Sequence, residues 1–202
     1  MHPVVVNPRN LRVSRAVGVV AGTMMVIGLL LVFAGWWLRP ITAAERAMAS
    51  GNIERAVEQY ALARRRVDLI PFAQTLVPGL RDLLTDNELS LQYALRRYDR
   101  ILEGRSSEPD RAPTSFWAGS VLFDKALVEL VPRTRLEIMT EAHRTFRRAL
   151  ELNPGDWDTK FNYEVADRLL RILREQPEAP PEVIIKLLRE RGPQPRSGRK
   201  TG

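Results

Sequence analysis

The sequence predicts an all-α protein, with a single transmembrane helix near the N-terminus followed by a domain of paired helices. Three observations predict it. Residues 17 to 38 carry no charge. Beyond them, apolar residues recur at helical rather than alternating spacing. No stretch of β-branched residues bounded by turn signals reads as a strand.

The 22 residues from Val17 to Leu38 lie between Arg15 and Arg39. As a helix rising ~1.5 Å per residue they span about 33 Å, the thickness of a bilayer's hydrocarbon core. Trp36 and Trp37 stand at the far end, where amphipathic rings prefer the headgroup layer. A cleavable signal peptide is the competing reading, because Ala47-Met48-Ala49 resembles a cleavage site, but signal apolar regions run only about 7 to 15 residues. The positive-inside count is tied, with Arg9, Arg12 and Arg15 before the span and Arg39, Arg46 and Arg55 after it. The acid-free N-terminal side favours a cytoplasmic tail over 1–16. Residues 39–191 then fall outside, which for a single-pass protein of a bacterial inner membrane is the periplasm. Gly18-x-x-x-Gly22 has the spacing that permits close packing of membrane helices.

A chain of 202 residues with 45% hydrophobic and 27% charged residues holds one folded domain plus attachments. Without cysteine it has no disulfide, thiolate metal site or cysteine nucleophile, and His2 and His143 are too few for a histidine metal cluster. The net charge of +7 resides mostly at the ends, since 25 basic residues face 24 acidic ones between 39 and 191. Arg64, Arg65 and Arg66, like Arg96, Arg97 and Arg100, alternate with acids and read as solvated faces, so no nucleic-acid partner is expected. No nucleotide loop, zinc helix or nucleophile elbow stands in the chain, and a non-enzymatic protein without cofactor is expected.

Helices are expected at 39–50, 52–67, 72–85, 88–103, 114–131, 134–152, 157–175 and 181–191. They are separated by Gly51-Asn52, Pro71, the polar stretch Gly104 to Pro113, Pro132, Pro154-Gly155 and Pro177 to Pro181. A basic disordered tail is expected over 192–202. The tetratricopeptide unit of about 34 residues needs small residues where two antiparallel helices touch and an aromatic to fill the gap. Ala56, Tyr60 and Ala63 have that spacing after a turn at Gly51. Ala142, Phe146 and Ala149 repeat it before a stop at Pro154. A weaker third copy is Ala94, Tyr98 and Ile101 or Leu102.

The run Leu127-Val128-Glu129-Leu130, then Thr145 through Leu150-Glu151-Leu152-Asn153-Pro154-Gly155-Asp156-Trp157-Asp158 to Glu164, resembles the MxaK proteins of bacterial methanol-oxidation clusters. More broadly it resembles the membrane-anchored repeat proteins encoded beside MoxR ATPases and von Willebrand factor A proteins. The resemblance covers about a fifth of the chain. It implies an anchored adaptor that scaffolds maturation, or metal or cofactor loading, of a periplasmic dehydrogenase, with those proteins as partners. A structural subunit held in a larger membrane complex by its span is the alternative.

Asp156 is placed to cap the helix that follows it. A calcium site from Glu151, Asn153, Asp156 and Asp158 is the other reading, although the loop lacks the glycine and closing glutamate of an EF-hand. Trp157 is expected at the helix junction. First helices of such repeats line a groove, so Lys160, Asn162 and Tyr163 with Trp157 are candidate partner contacts. Arg147 and Arg148 could join Lys160 and Asn162 in gripping a carboxylate. His143 is assigned no role.

Overall fold

The computed structural model describes residues 8 to 180 except 71, 72 and 109, together with 182, 183 and 186; side chains are described from Val20 onward, except at 30, 34, 73 and 74. Among the described residues there are eight helices and no strand: α1 (Pro8–Ala49), α2 (Ile53–Asp68), α3 (Ala73–Leu76), α4 (Leu80–Ala94), α5 (Tyr98–Ser107), α6 (Ala112–Val128), α7 (Pro132–Leu152) and α8 (Trp157–Glu175).

The expected membrane span and the expected helix 39–50 are one continuous helix. α1 starts at Pro8, inside the stretch read as an N-terminal tail, and contains a window of mean hydropathy 1.9 with none of it buried. By length and composition it is able to cross a membrane. Among the described residues no atom outside the helix approaches the open faces of Gly22, Gly28 and Gly35. Pro40 lies inside the helix. A helical proline donates no N–H and crowds the carbonyl four residues back, here that of Trp36. Arg66 of α2 supplies the missing donor: Nη1 lies 2.6 Å from Trp36 O, and the guanidinium sits 4.3 Å above the Trp36 ring.

α1 ends in a Schellman turn. Gly51 takes φ +74, Gly51 N–H donates to Met48 O and Asn52 N–H to Ala47 O. Asn52 then caps α2, its Oδ1 accepting from Arg55 N–H at 3.0 Å. α2 returns along the end of α1, burying Ala63, Tyr60 and Val67 with Ala44 and Leu84.

The expected helices 72–85 and 88–103 are replaced by α3, α4 and α5. The break falls at Leu95 to Arg97, where a second Schellman turn places Arg96 at φ 56, with Arg96 N–H donating to Tyr93 O and Arg97 N–H to Gln92 O. This position usually holds glycine, so the sequence carries no visible stop. Ala94 consequently ends α4 while Tyr98 opens α5, and the weaker third repeat does not lie on one helix.

α6 and α7 are joined through Glu129 to Val131, and Pro132 is the first residue of α7, where its missing N–H costs nothing. α6 therefore lies two to three residues N-terminal to the expected 114–131, and α7 starts two residues before the expected 134 and ends at 152 as expected. Ala142, Phe146 and Ala149 are buried, the first two in a core with Met139, Ala166, Leu169 and Leu173. Gly119 of α6 gives Phe146 its space, since a Cβ there would stand 2.8 Å from Cδ1 of the ring. α8 packs on α7 and opens on the expected cap, with Asp156 accepting from Asp158 N–H at 3.1 Å and Thr159 Oγ1 at 2.5 Å.

Three buried clusters follow one another along the chain: α1–α2–α4, α4–α5–α6 and α6–α7–α8. Most of the helix expected at 181–191, and the tail at 192–202, lie outside the described residues.

Candidate functional site

α4, α6 and α8 present residues at helical spacing to a common groove of about 1210 Å³. α4 contributes Asp82, Leu83 and Asp86, α6 contributes Phe116 and Trp117, and α8 contributes Asp158, Phe161 and Asn162. Leu83 and Phe161 are exposed, so apolar surface is available to a ligand. Trp117 and Asp86 are joined across the α6–α4 boundary, Nε1–H donating to Oδ1 at 2.7 Å. Phe116 is packed edge-on against Trp117 at 5.1 Å, and Tyr93 supports the other side of the indole at 5.2 Å.

Carboxylates dominate the rim. Asp82, Asp86, Glu108, Asp110, Asp156 and Asp158 line the groove against two cations, Arg81 and Arg111. Both cations are engaged: Arg111 Nη1 lies 2.6 Å from Asp82 Oδ1 and its Nε 3.1 Å from Glu108, while Arg81 Nη2 donates to Glu108 at 3.1 Å. Arg81 Nε stands 2.7 Å from Asp68, an ion pair without hydrogen-bond alignment. Arg64 of α2 reaches the same Glu108 at 3.2 Å and Glu88 at 3.0 Å. Three arginines thus converge on Glu108, in a stretch expected to be a plain surface loop. Arg64 and Arg66 likewise make specific partners, where solvated faces were expected.

The carboxyl of Asp86 is pushed above the usual range, first by burial and then by Asp156 and Asp158, with the Trp117 hydrogen bond opposing. Beneath the groove, Tyr93 and Tyr98 both donate to Asp124, and burial together with that donation raises the Tyr93 phenol well above its ordinary value.

Of the residues singled out in the sequence, Asn162 lines the groove, as do Asn153, Asp156 and Asp158 of the calcium reading. Trp157 does not pack at the helix junction: it is 77% exposed, one turn before Phe161, with Lys160 Nζ 5.0 Å from its ring centroid. Tyr163 points into the α7–α8 interface, where it stacks on His143 at 4.6 Å. Arg147 is paired with Glu151 at 3.1 Å, and Arg148 with Asp110 and Glu151. Neither arginine lines the groove, so they are not brought together with Asn162 there.

Among the repeat residues Ala56, Tyr60, Ala63, Ala142, Phe146 and Ala149 are buried, and Gly51 makes its turn. Pro154 is exposed and ends a helix without packing. Of the residues in the calcium reading, Glu151 is paired with Arg147 and Arg148, and Asp156 accepts the capping bonds of α8. Among the described residues no group of three or more histidines and acids is placed to hold a metal ion.

No known protein family, no curated protein and no solved structure matches the chain.

The sequence reading missed Asp86, Trp117, Phe116, Phe161 and Gly119. Asp86 and Trp117 stand on different helices in sequence and meet only through the α4–α6 packing, for which helical periodicity carries no signal.

Proposed function

We propose that this chain is a membrane-anchored adaptor of the tetratricopeptide type, which holds a segment of a partner protein in the α4–α6–α8 groove while α1 fixes it in the bilayer. The groove carries the reading: three helices separated in sequence turn exposed Leu83 and Phe161, and the supported Trp117, toward one acid-rimmed concavity. A repeat domain binds peptides on a surface of this kind.

Helix order supports the repeat interpretation. The end of α1 pairs with α2, α6 with α7, and α8 packs on α7 in the place of a following first helix. Ala44, Ala56, Tyr60 and Ala63 supply the small, small, aromatic, small contacts of one such pair. The carboxylate rim selects a segment in which basic residues flank an apolar anchor. The body on the periplasmic side of a bacterial inner membrane, and an adaptor role beside a MoxR ATPase and von Willebrand factor A proteins in maturing a dehydrogenase, are the setting that the resemblance suggests.

The test is copurification from the native membrane in mild detergent with a C-terminal tag, comparing the native chain with Trp117→Ala and Phe161→Ala. Recovery of a von Willebrand factor A protein, a MoxR ATPase or an apo-dehydrogenase, lost from both variants, supports the adaptor. A stable complex without any of them, unchanged by both substitutions and lost when α1 is exchanged for an unrelated span, makes the chain a structural subunit.

A further inference from the structure

We infer that Leu69, Leu76 and Val77, which lie between α2 and α4, form a second membrane contact, seated at the boundary between headgroups and acyl chains beside α1. This rests on α1 being the membrane span.

The height of the segment is fixed by contacts along α1. α2 runs antiparallel to the end of α1, its Tyr60 buried with Ala44 and its hydroxyl 3.7 Å from Met48 Sδ. By Arg66 the helix has returned to the level of Trp36, whose carbonyl and ring it contacts. Leu69 lies three residues further on, about 4.5 Å closer to the bilayer centre at 1.5 Å per residue. On the antiparallel partner that is the height of Phe33, within the uncharged run that ends at Leu38. Ile70, next after Leu69, and Leu80, which opens α4, both pack against the cluster of Ala44, Tyr60, Ala63, Val67 and Leu84, as Trp37 and Ile41 of α1 do. α3, which ends at Leu76, packs on α2, so Leu76 and Val77 stay on the side of the body where α2 ends.

Its surface is wrong for water and right for lipid. Leu69 is 79% and Leu76 71% exposed, and Val77 is exposed too, so three apolar side chains stand bare within a nine-residue stretch. Arg39, Arg65 and Arg66 lie at or just above the same height, where lipid phosphates would be. Trp36, half-exposed, completes the arrangement of aromatic and cation that favours the headgroup layer. Two attachments at one end, the span and this connection, would orient the body on the membrane as a single span cannot.

The chain has no cysteine, so single labels are introduced without background. Phe33→Cys, Leu69→Cys, Leu76→Cys and Ser50→Cys, the last at the opposite end of the first helical pair, are labelled with a polarity-sensitive nitrobenzoxadiazole dye. Each full-length variant is reconstituted in phosphatidylcholine–phosphatidylglycerol vesicles with or without brominated acyl chains. The expected result is quenching by brominated lipid at Phe33, Leu69 and Leu76, with none at Ser50. Quenching at Phe33 with Leu69 and Leu76 behaving like Ser50 overturns the inference and leaves the anchor standing. An unquenched Phe33 overturns the anchor itself. A blue-shifted but unquenched label at Leu69 and Leu76, reversed by diluting to one chain per vesicle, assigns the patch to a second copy and also overturns the inference.

Discussion

Gly119 and Phe146 provide a sharp test of how the groove wall is built. A methyl group added at Gly119 would stand 2.8 Å from Cδ1, 2.9 Å from Cε1 and 3.1 Å from Cγ of the Phe146 ring. Carbon pairs settle at about 3.5 to 4.0 Å, so either the ring or α6 must give by several tenths of an ångström. The ring is 1% exposed and shares its core with Met139, Ala142 and Leu169, which leaves it little room. Overpacking of this kind costs about 1–3 kcal/mol, and the better helix propensity of alanine returns about 0.5–1 kcal/mol. Gly119→Ala should therefore destabilise the body by roughly 1 kcal/mol. Phe146→Ala alone should cost about 3–5 kcal/mol, but it removes the clashing atoms. In that background Gly119→Ala should change sign and stabilise by at least about 0.5 kcal/mol, because the methyl then partly fills the space the ring left. Urea unfolding of the four full-length proteins in mild detergent, followed by far-UV circular dichroism, reads the cycle. Equal effects of Gly119→Ala in both backgrounds would refute the packing account.

The two Schellman turns differ in the residue that takes positive φ. Arg96→Gly should stabilise by up to about 1 kcal/mol, and Gly51→Ala should destabilise by about as much, read by the same urea transitions; effects of one sign at both positions exclude the assignment. Because the carboxyl of Asp86 is raised, the folded state holds its proton more tightly than the unfolded state does, and the stability gained from that proton is lost as pH rises through the raised value. Asp86→Asn should gain on the native protein between about pH 4 and neutrality, and a pH-independent difference argues against it. Burial holds the His143 imidazole below its ordinary value, Arg147 and Arg174 push the same way, and Asp167 at 3.6 Å opposes without prevailing. Stability should therefore fall as pH drops below about 6.5, less so in His143→Phe, and an NMR titration midpoint for His143 at or above that value contradicts the burial argument. Arg66→Ala should cost about 1 kcal/mol in the native chain and less in Pro40→Ala, where residue 40 again donates to the Trp36 carbonyl; a double-mutant cycle without coupling rules out that division of roles.

Much of the fold was legible where a local signal and a periodic one agreed. α2, α7 and α8 were read within a few residues because Asn52, Pro132 and Asp156 mark their starts and their apolar faces keep strict helical spacing. The α4–α5 break was not legible, since the conformation that ends α4 is held by an arginine and nothing in its side chain announces a turn. The role of Gly119 was hidden because its partner stands on the next helix, and a small residue inside an apolar helix reads as filler until the ring opposite it is known. The groove was the least visible feature. The spacing named Asn162, yet the aromatic floor and acid rim join residues from three helices, and the tertiary packing alone makes them neighbours.

The continuity of α1 ties these features together. A helix long and apolar enough to cross a membrane, which also serves as the first member of a packed pair, transmits its orientation directly to the body, without an intervening linker. Pro40 sits where that transmission is weakest, one turn beyond the Trp36 carbonyl it deprives of a donor. Free at that point, the body could swing about α1. Arg66 closes the gap from α2, so the residue that repairs the helix also fastens its second member to the first. The cost of a proline in a long helix is thus offset where the apolar run of α1 gives way to the packed pair. On the function proposed above, this holds the groove at a defined angle to the span, and a bound segment at a fixed height above the membrane.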